Sequence, residues 1–404
     1  MKILNKWILV CFTVLIFSHQ ASAASFDDIF IFGDSLSDSG AYIGNADAAA
    51  GGRFTTNPGP VWTETLGAFY GLSVVSNNPN NPANTSATGN NYAQGGAQVT
   101  SPIGIGQSAS PQNAIPIATQ INNYLTSVGG VANPNGLYTV WGGANDIFFN
   151  AGLVGGGLAI PSAINNLVTS AMSLAGLAQT LGDAGAGTIL VPNLPDIGTS
   201  PTAVLQAIGS VGNAVGATGA DINNALLTAT FLLRTPANSP ADQATVVATA
   251  IAAAEAALGA AATGALAPTV AQTSGLLSGL TAAYNASLAG FINASTANII
   301  LLDIASFFKD TVSVDPSGFG LTNVTGTACN TLSSLTCTSP FFASPTAAQD
   351  FLFADSVHPT TAGHAVIAGF AISTVEAAAV PAPAALFLLG PALGILGFRR
   401  KRVA

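Results

Sequence analysis

The sequence predicts an α/β protein, with a parallel sheet covered by helices on both sides. Short apolar runs recur along the chain without the alternation of a half-wet strand, as strands buried on both faces require. Longer segments of helical period separate them, and this β–α–β order is the pattern of a parallel sheet. The expected strands are 28–33 (DIFIFG), 72–75 (LSVV), 137–142 (LYTVWG), 187–192 (GTILVP) and 298–303 (NIILLD). Helical patterns fall near 60–70, 114–126, 158–183 and 270–294, and a last one near 361–378 follows Thr360 and Thr361. Residues 76–112 are rich in Asn, Pro, Gly and Ser and read as loops. Residues 202–270 are dominated by Ala, a strong helix former, so two or three helices inserted into the sheet fold are expected there. Such an insertion is either a cap beside a site or an extra helical layer without chemistry.

Charge is scarce, at 7% of residues, and unevenly placed. Residues 24–380 hold three cations, Arg53, Arg234 and Lys309, against all 18 acids. That body repels phosphate backbones and anionic membranes, which argues against a nucleic-acid partner and admits a neutral substrate more easily. The remaining basic residues sit at the ends. Lys2 and Lys6 precede an apolar run from Trp7 to Phe17, closed by Ala21-Ser22-Ala23. A basic start, an apolar middle and a small-x-small exit make a signal peptide over 1–23, with a short membrane anchor as the alternative. At the other end, Val380-Pro381-Ala382-Pro383 leads into AALFLLGPALGILGF and then Arg399-Arg400-Lys401-Arg402. The basic cluster is expected to stay in the cytoplasm.

The residues that bear chemistry are few. Beyond the leader the histidines are His358 and His364, so a histidine base must be one of them. His358 stands in Asp355-Ser356-Val357-His358-Pro359. In a tight loop that spacing lets Asp355 accept from one ring nitrogen and leaves the other free to take a proton. His364 lies inside the last helix and reads as structural or exposed. Ser35, in Gly33-Asp34-Ser35-Leu36, falls directly after the first strand. Open parallel sheets bind ligands at the carboxyl ends of their strands. A serine hydroxyl there becomes a nucleophile once a base takes its proton. Acyl transfer also needs donors for a developing oxyanion. Two clusters offer them: Asn91-Tyr92-Ala93-Gln94-Gly95-Gly96-Ala97, and Gly143-Ala144-Asn145-Asp146 after the 137–142 strand. Two histidines argue against a Cys/His zinc site. Cys329 and Cys337, eight residues apart, can close a small disulfide loop in an oxidising compartment.

Taken together and in this order, these four blocks resemble those of the GDSL esterase/lipase family, also called SGNH hydrolases. Val191-Pro192-Asn193-Leu194-Pro195-Asp196-Ile197-Gly198 and Tyr284-Asn285 are similar to its longer bacterial and plant-like members. The resemblance covers roughly 27–375. It implies a three-layer α/β/α sandwich on a mainly five-stranded parallel sheet, and ester hydrolysis through an acyl-enzyme without metal or organic cofactor. By residue, it implies Ser35 as nucleophile, His358 as base and then acid, and Asp355 as its orienting partner. The oxyanion would be held by the N–H groups of Ser35 and Gly96, with Gly95 the neighbouring alternative, and by the Asn145 amide. The C-terminal pattern resembles a PEP-CTERM sorting tail, with Ala382 in place of the name-giving Glu. That resemblance implies an exosortase-type protease as partner and a cell-surface or matrix location, against a plain C-terminal anchor. The expected organisation is therefore a leader (1–23), a hydrolase domain (24–379) carrying the 202–270 insertion, and a sorting or anchor segment (380–404). An acyltransferase, a carbohydrate deacetylase or a non-catalytic surface protein on the same fold are the alternatives.

Overall fold

A computed structural model describes residues 24–43, 52–77, 89–105, 114–331 and 333–379. The expected leader and C-terminal tail lie outside these residues. The chain divides into a compact unit, Ser25–Val375, and a second unit made of its two ends, of which only Ala24 and residues 376–379 are described.

The first four strands form one parallel sheet in the order β1 (Asp28–Gly33), β2 (Gly136–Trp141), β3 (Thr188–Pro192) and β4 (Ile299–Leu302). Each starts within two residues of its expected position. Their apolar side chains are removed from water: Ile29, Ile31, Phe32, Leu137, Val140, Ile189 and Leu190 are fully buried. The register pairs Ile31 with Thr139 and Gly33 with Trp141, so β1 and β2 end side by side.

The fifth expected strand, 72–75, does not form a regular strand. Beside β1 the sheet is extended instead by isolated bridges, Ile31 with Asn91 and Ser76 with Asn91. Asn91 N–H donates to Val75 O at 2.9 Å and Tyr92 N–H to Ile31 O at 2.8 Å. One residue of the Asn-rich segment is thus wedged between β1 and the chain at 75–77, and too few consecutive residues pair to make a ladder.

Helices fill the connections: α1 (Trp62–Phe69), α2 (Ile117–Ser127), α3 (Ala144–Gly155) and α4 (Ile160–Asp183). The Ala-rich stretch becomes α5 (Pro201–Ala214), α6 (Gly219–Leu233) and α7 (Pro240–Leu258), and runs on into the long α8 (Leu266–Asn293). Local chemistry starts them. Thr218 and Asp221 form a reciprocal cap on α6, and Ser239 accepts from Asp242 N–H ahead of Pro240 in α7. These helices build a small core of their own. Ala225 and Ala229 on α6, and Ala250 and Ala254 on α7, sit one turn apart and are fully buried with Leu233, Ile208 and Leu266. Small side chains at that spacing let the helix axes approach closely.

Helix α3 was not foreseen as an element, and neither were short α9 (Ile304–Phe307), strand β5 (Asn323–Thr327), α10 (Ala347–Asp350) and strand β6 (Phe351–Phe353). The strands β5 and β6 pair in parallel as a separate two-stranded sheet. The polar run NVTGT and the three-residue FLF carry too little pattern to be read as strands. Helix α11 (Thr361–Ala379) closes the chain and is apolar and long enough to span a membrane by composition alone. One face of it, with His364, Ile367, Ala368 and Ala371, is buried against the protein.

His364 explains that docking. It is fully buried; its Nδ1 accepts from Trp62 N–H at 3.2 Å, and its Nε2 faces Phe54 O at 3.4 Å. One nitrogen accepting leaves the other to donate, so the ring is neutral. Burial pushes its pKa down to about 3 from an ordinary 6.5. Between those values the unfolded chain takes a proton that the folded one refuses, so stability is complete above 6.5 and drains as pH falls. The melting-temperature advantage of wild type over His364→Gln is expected to be largest at pH 7 and to shrink by pH 4. An advantage that does not change with pH would contradict this.

Candidate active site

The site is built where the register ends two neighbouring strands together. Gly33 closes β1 opposite Trp141, which closes β2. Two residues further on along each strand stand Ser35 and Gly143, and Asn145 follows in the first turn of α3. Gly143 caps that helix at φ +109°, and a Cβ there would lie 2.3 Å from the Tyr284 ring, so glycine is required twice over.

The other half arrives from the far end of the chain. Strand β6 stops at Phe353, and a tight loop follows in which Ala354 N–H donates to His358 O at 2.7 Å. His358 Nε2 lies 2.9 Å from Ser35 Oγ. Its Nδ1 lies 2.8 and 2.9 Å from the two oxygens of Asp355. A carboxylate only accepts, so Nδ1 carries the proton and Nε2 is the acceptor for the serine hydroxyl. The imidazole also packs on Phe54, with ring centroids 4.9 Å apart.

Asp355 is almost fully buried, and burial alone would raise its pKa. The neighbouring His358 and hydrogen bonds from the imidazole and from the main chain of His358 and Val357 outweigh that, holding the carboxyl well below the usual range. Oδ1 accepts from the N–H groups of Val357 and His358, and Oδ2 from Ser334 N–H at 2.7 Å. Bonds to a charged acceptor each contribute about 1.5–3 kcal/mol.

The amide donors named as candidates sort themselves by what they already hold. Gly95 N–H is spent on Asp38 Oδ2 at 2.9 Å. Among the described residues the N–H groups of Ser35 and Gly96 have no protein acceptor. Gly96 adopts φ +83° in its turn. Asn145 Nδ2 gives one hydrogen to Ala97 O at 2.9 Å and has a second to offer. Gly95 N–H is thus engaged and Gly96 N–H is not, among the described residues.

Hydrogen bonds join the blocks to each other. Asp38 accepts from Gly40, Ala41 and Gly95, tying the serine turn to the glycine turn. Asn91 Nδ2 donates to Ser37 O and Ser39 Oγ. Asp146 Oδ2 accepts from Val99 N–H and its Oδ1 from Ser170 Oγ. Gln120 clamps Gly33 through both its amide atoms at 2.9 Å. Asp38 and Ser334 escaped the sequence reading. Asp38 could have been noticed as a second acid four residues after Asp34; Ser334 gives no side-chain signal, because it acts through its backbone. Cys329 and Cys337 are joined in a disulfide, as their spacing allowed.

The matching family model spans residues 29–369 and describes a GDSL-like lipase/acylhydrolase. The chain belongs to this family. Within and beyond it, the chain is 25% identical to Lipase 1 of Photorhabdus luminescens over 370 residues, 88% of this chain and 51% of that protein. It is 29% identical over 224 residues to a phosphatidylcholine-sterol acyltransferase of Aeromonas hydrophila, covering 53% of this chain and 58% of that one. Over 150 residues it is 29% identical to esterase EstA of Pseudomonas aeruginosa, covering 31% and 23%. The chain spans about half the length of Lipase 1.

One acid in the GDSL block stands apart. Asp34 is buried; its Oδ1 accepts from Leu36 N–H, while its Oδ2 has no hydrogen-bond partner. Burial, with a smaller push from Asp146, raises its pKa to about 7 against the lowering effects of Leu36 and His358. A folded-state pKa above the ordinary 3.8 means stability is lost as pH rises between the two values. Asp34→Asn is therefore expected to melt close to wild type at pH 4 and higher than wild type at pH 8. Equal melting temperatures at both pH values would refute the assignment.

Proposed function

We propose that this protein is a serine hydrolase of carboxylic esters, working through Ser35, His358 and Asp355 and an acyl-enzyme. The observation that carries the reading is the single line of contacts from Ser35 Oγ through His358 Nε2 and Nδ1 to Asp355, in a member of a lipase/acylhydrolase family. Ser35 attacks the ester carbonyl as its proton passes to His358 Nε2. The tetrahedral oxyanion takes hydrogen bonds from the N–H groups of Ser35 and Gly96 and from Asn145. His358 then protonates the leaving alcohol, and the acyl group stays on Ser35 Oγ. Water, deprotonated by His358, releases the acid and restores the serine. Asp355 keeps the imidazole oriented and balances its charge while it holds the extra proton.

An alcohol can take the place of that water. The likeness to a protein named as an acyltransferase favours this second reading over a deacetylase. Adding an acceptor alcohol to the assay and measuring ester against acid product separates transfer from hydrolysis.

The N-terminal leader and the C-terminal apolar segment with its basic cluster support export across the inner membrane and display at the surface. Mass spectrometry of the mature protein tests this, since a chain beginning at Ala24 is expected.

Ser35→Ala and His358→Ala are expected to abolish hydrolysis of p-nitrophenyl esters, and a fluorophosphonate probe should label Ser35 in wild type. Activity surviving either change in folded protein would remove the assignment. Asn145→Ala should lower kcat by about 10²–10³ with a much smaller change in KM, because its second hydrogen bond strengthens as the oxyanion forms. An unchanged kcat would take Asn145 out of the oxyanion site.

A further inference from the structure

The turn closed by Cys329 and Cys337 is anchored on several sides. Both cysteines are buried. Arg234, at the end of α6, sends Nε to Thr327 O and Nη2 to Cys329 O, each at 2.8 Å. Asn57 gives its side-chain amide to Ser334 O and its backbone N–H to Cys337 O, again at 2.8 Å. What this anchoring delivers is one buried donor, Ser334 N–H, to Asp355 Oδ2.

That donor differs from the other two on the carboxylate. Val357 and His358 belong to the loop of Asp355 itself, and both serve Oδ1. Ser334 comes from outside that loop and serves Oδ2, which also meets His358 Nδ1 at 2.8 Å. With both oxygens engaged, the carboxylate cannot rotate about its own bond without giving up a charge-assisted hydrogen bond. The Ser334 hydroxyl, by contrast, is buried without a hydrogen-bond partner. The residue contributes its backbone, not its side chain.

We propose that the disulfide-closed turn 329–337 is a positioning device for the hydrolytic triad, holding Asp355 in orientation through the Ser334 N–H. The inference rests on the ester-hydrolase reading above and names a residue it does not use. The imidazole is aimed at Ser35 only as well as its carboxylate is fixed, so losing the donor acts on the chemical step more than on substrate binding.

A pair of substitutions isolates the N–H. Ser334 opens a short 3-10 turn, and Ser333 before it is extended at φ −126° and ψ 134°, the conformation that a following proline requires. Ser334→Pro deletes the donor; Ser334→Ala keeps it and removes only the unpartnered hydroxyl. The proline variant is expected to lose about tenfold or more in kcat on a p-nitrophenyl ester, with KM little changed. The low-field proton resonance of the His358 Nδ1–H should shift or broaden. The alanine variant should match wild type in both. A turn that merely stabilises the fold would lower the melting temperature and leave the resonance in place. Wild-type kcat together with an unmoved resonance in Ser334→Pro would overturn the proposal. Should the proline variant not fold, the double variant Cys329→Ser/Cys337→Ser, measured below its own melting temperature, decides by the same two readouts. Activity that persists in Ser35→Ala would bring down the triad reading and this proposal with it, whereas an inactive Ser35→Ala beside a Ser334→Pro of wild-type kcat and unmoved resonance would bring down the positioning proposal alone.

Discussion

The contact between His358 Nε2 and Ser35 Oγ joins residues 323 positions apart. Closing a flexible loop of that length costs about 5 kcal/mol beyond a constant, while one hydrogen bond returns about 1 kcal/mol net. The contact cannot hold itself. It exists because other interactions bring the last segment against the first. Thr361 N–H and Oγ1 bond to Thr56 Oγ1 and O, and His364 takes the Trp62 N–H in a buried site. Trp62 in turn packs edge-on against Trp141 of β2. The start of α11 is thereby fixed to the sheet, and the loop carrying Asp355 and His358 is set over the end of β1.

The same economy governs the charges. The body of the chain has few cations, and the Arg53 guanidinium is paired with Glu64. Asp38 and Asp146 are satisfied by amides and a hydroxyl, and burial raises both to about 6. They work as acceptors that staple one backbone turn to the next. Asp355 is the exception, since a neighbouring imidazole and three amides hold it ionised. Carboxylates of one chemical type thus take two roles, decided by whether an imidazole donates to them.

The Ala-rich insertion has a small core of its own and still reaches the site. Thr202, in the first turn of α5, donates through N–H and Oγ1 to Ser356 O, between Asp355 and His358. Arg234 grips the carbonyls beside the disulfide. A backbone N–H, a hydroxyl and a guanidinium thus tie the insertion to the loop of Asp355 and His358 and to the disulfide turn.

The strands of the main sheet, most of the long helices and the four motif blocks were legible in the sequence, because apolar period, helix starts and scarce residue types are local properties. Ser35, Asp355 and His358, which the sequence singled out, lie within hydrogen-bond distance of one another in line, and with His358 and His364 as the histidines after residue 24 the choice of imidazole was narrow. The missing fifth strand, the β5–β6 pair and the hydrogen bond from Ser334 N–H to Asp355 were not legible. Each depends on which backbone groups remain unpaired once distant segments have met, and backbone N–H and C=O groups are the same in every residue but proline. Side-chain identity, which a sequence states, chose the chemistry; the pairing of anonymous amides, which only the folded chain decides, chose the geometry that would let it act.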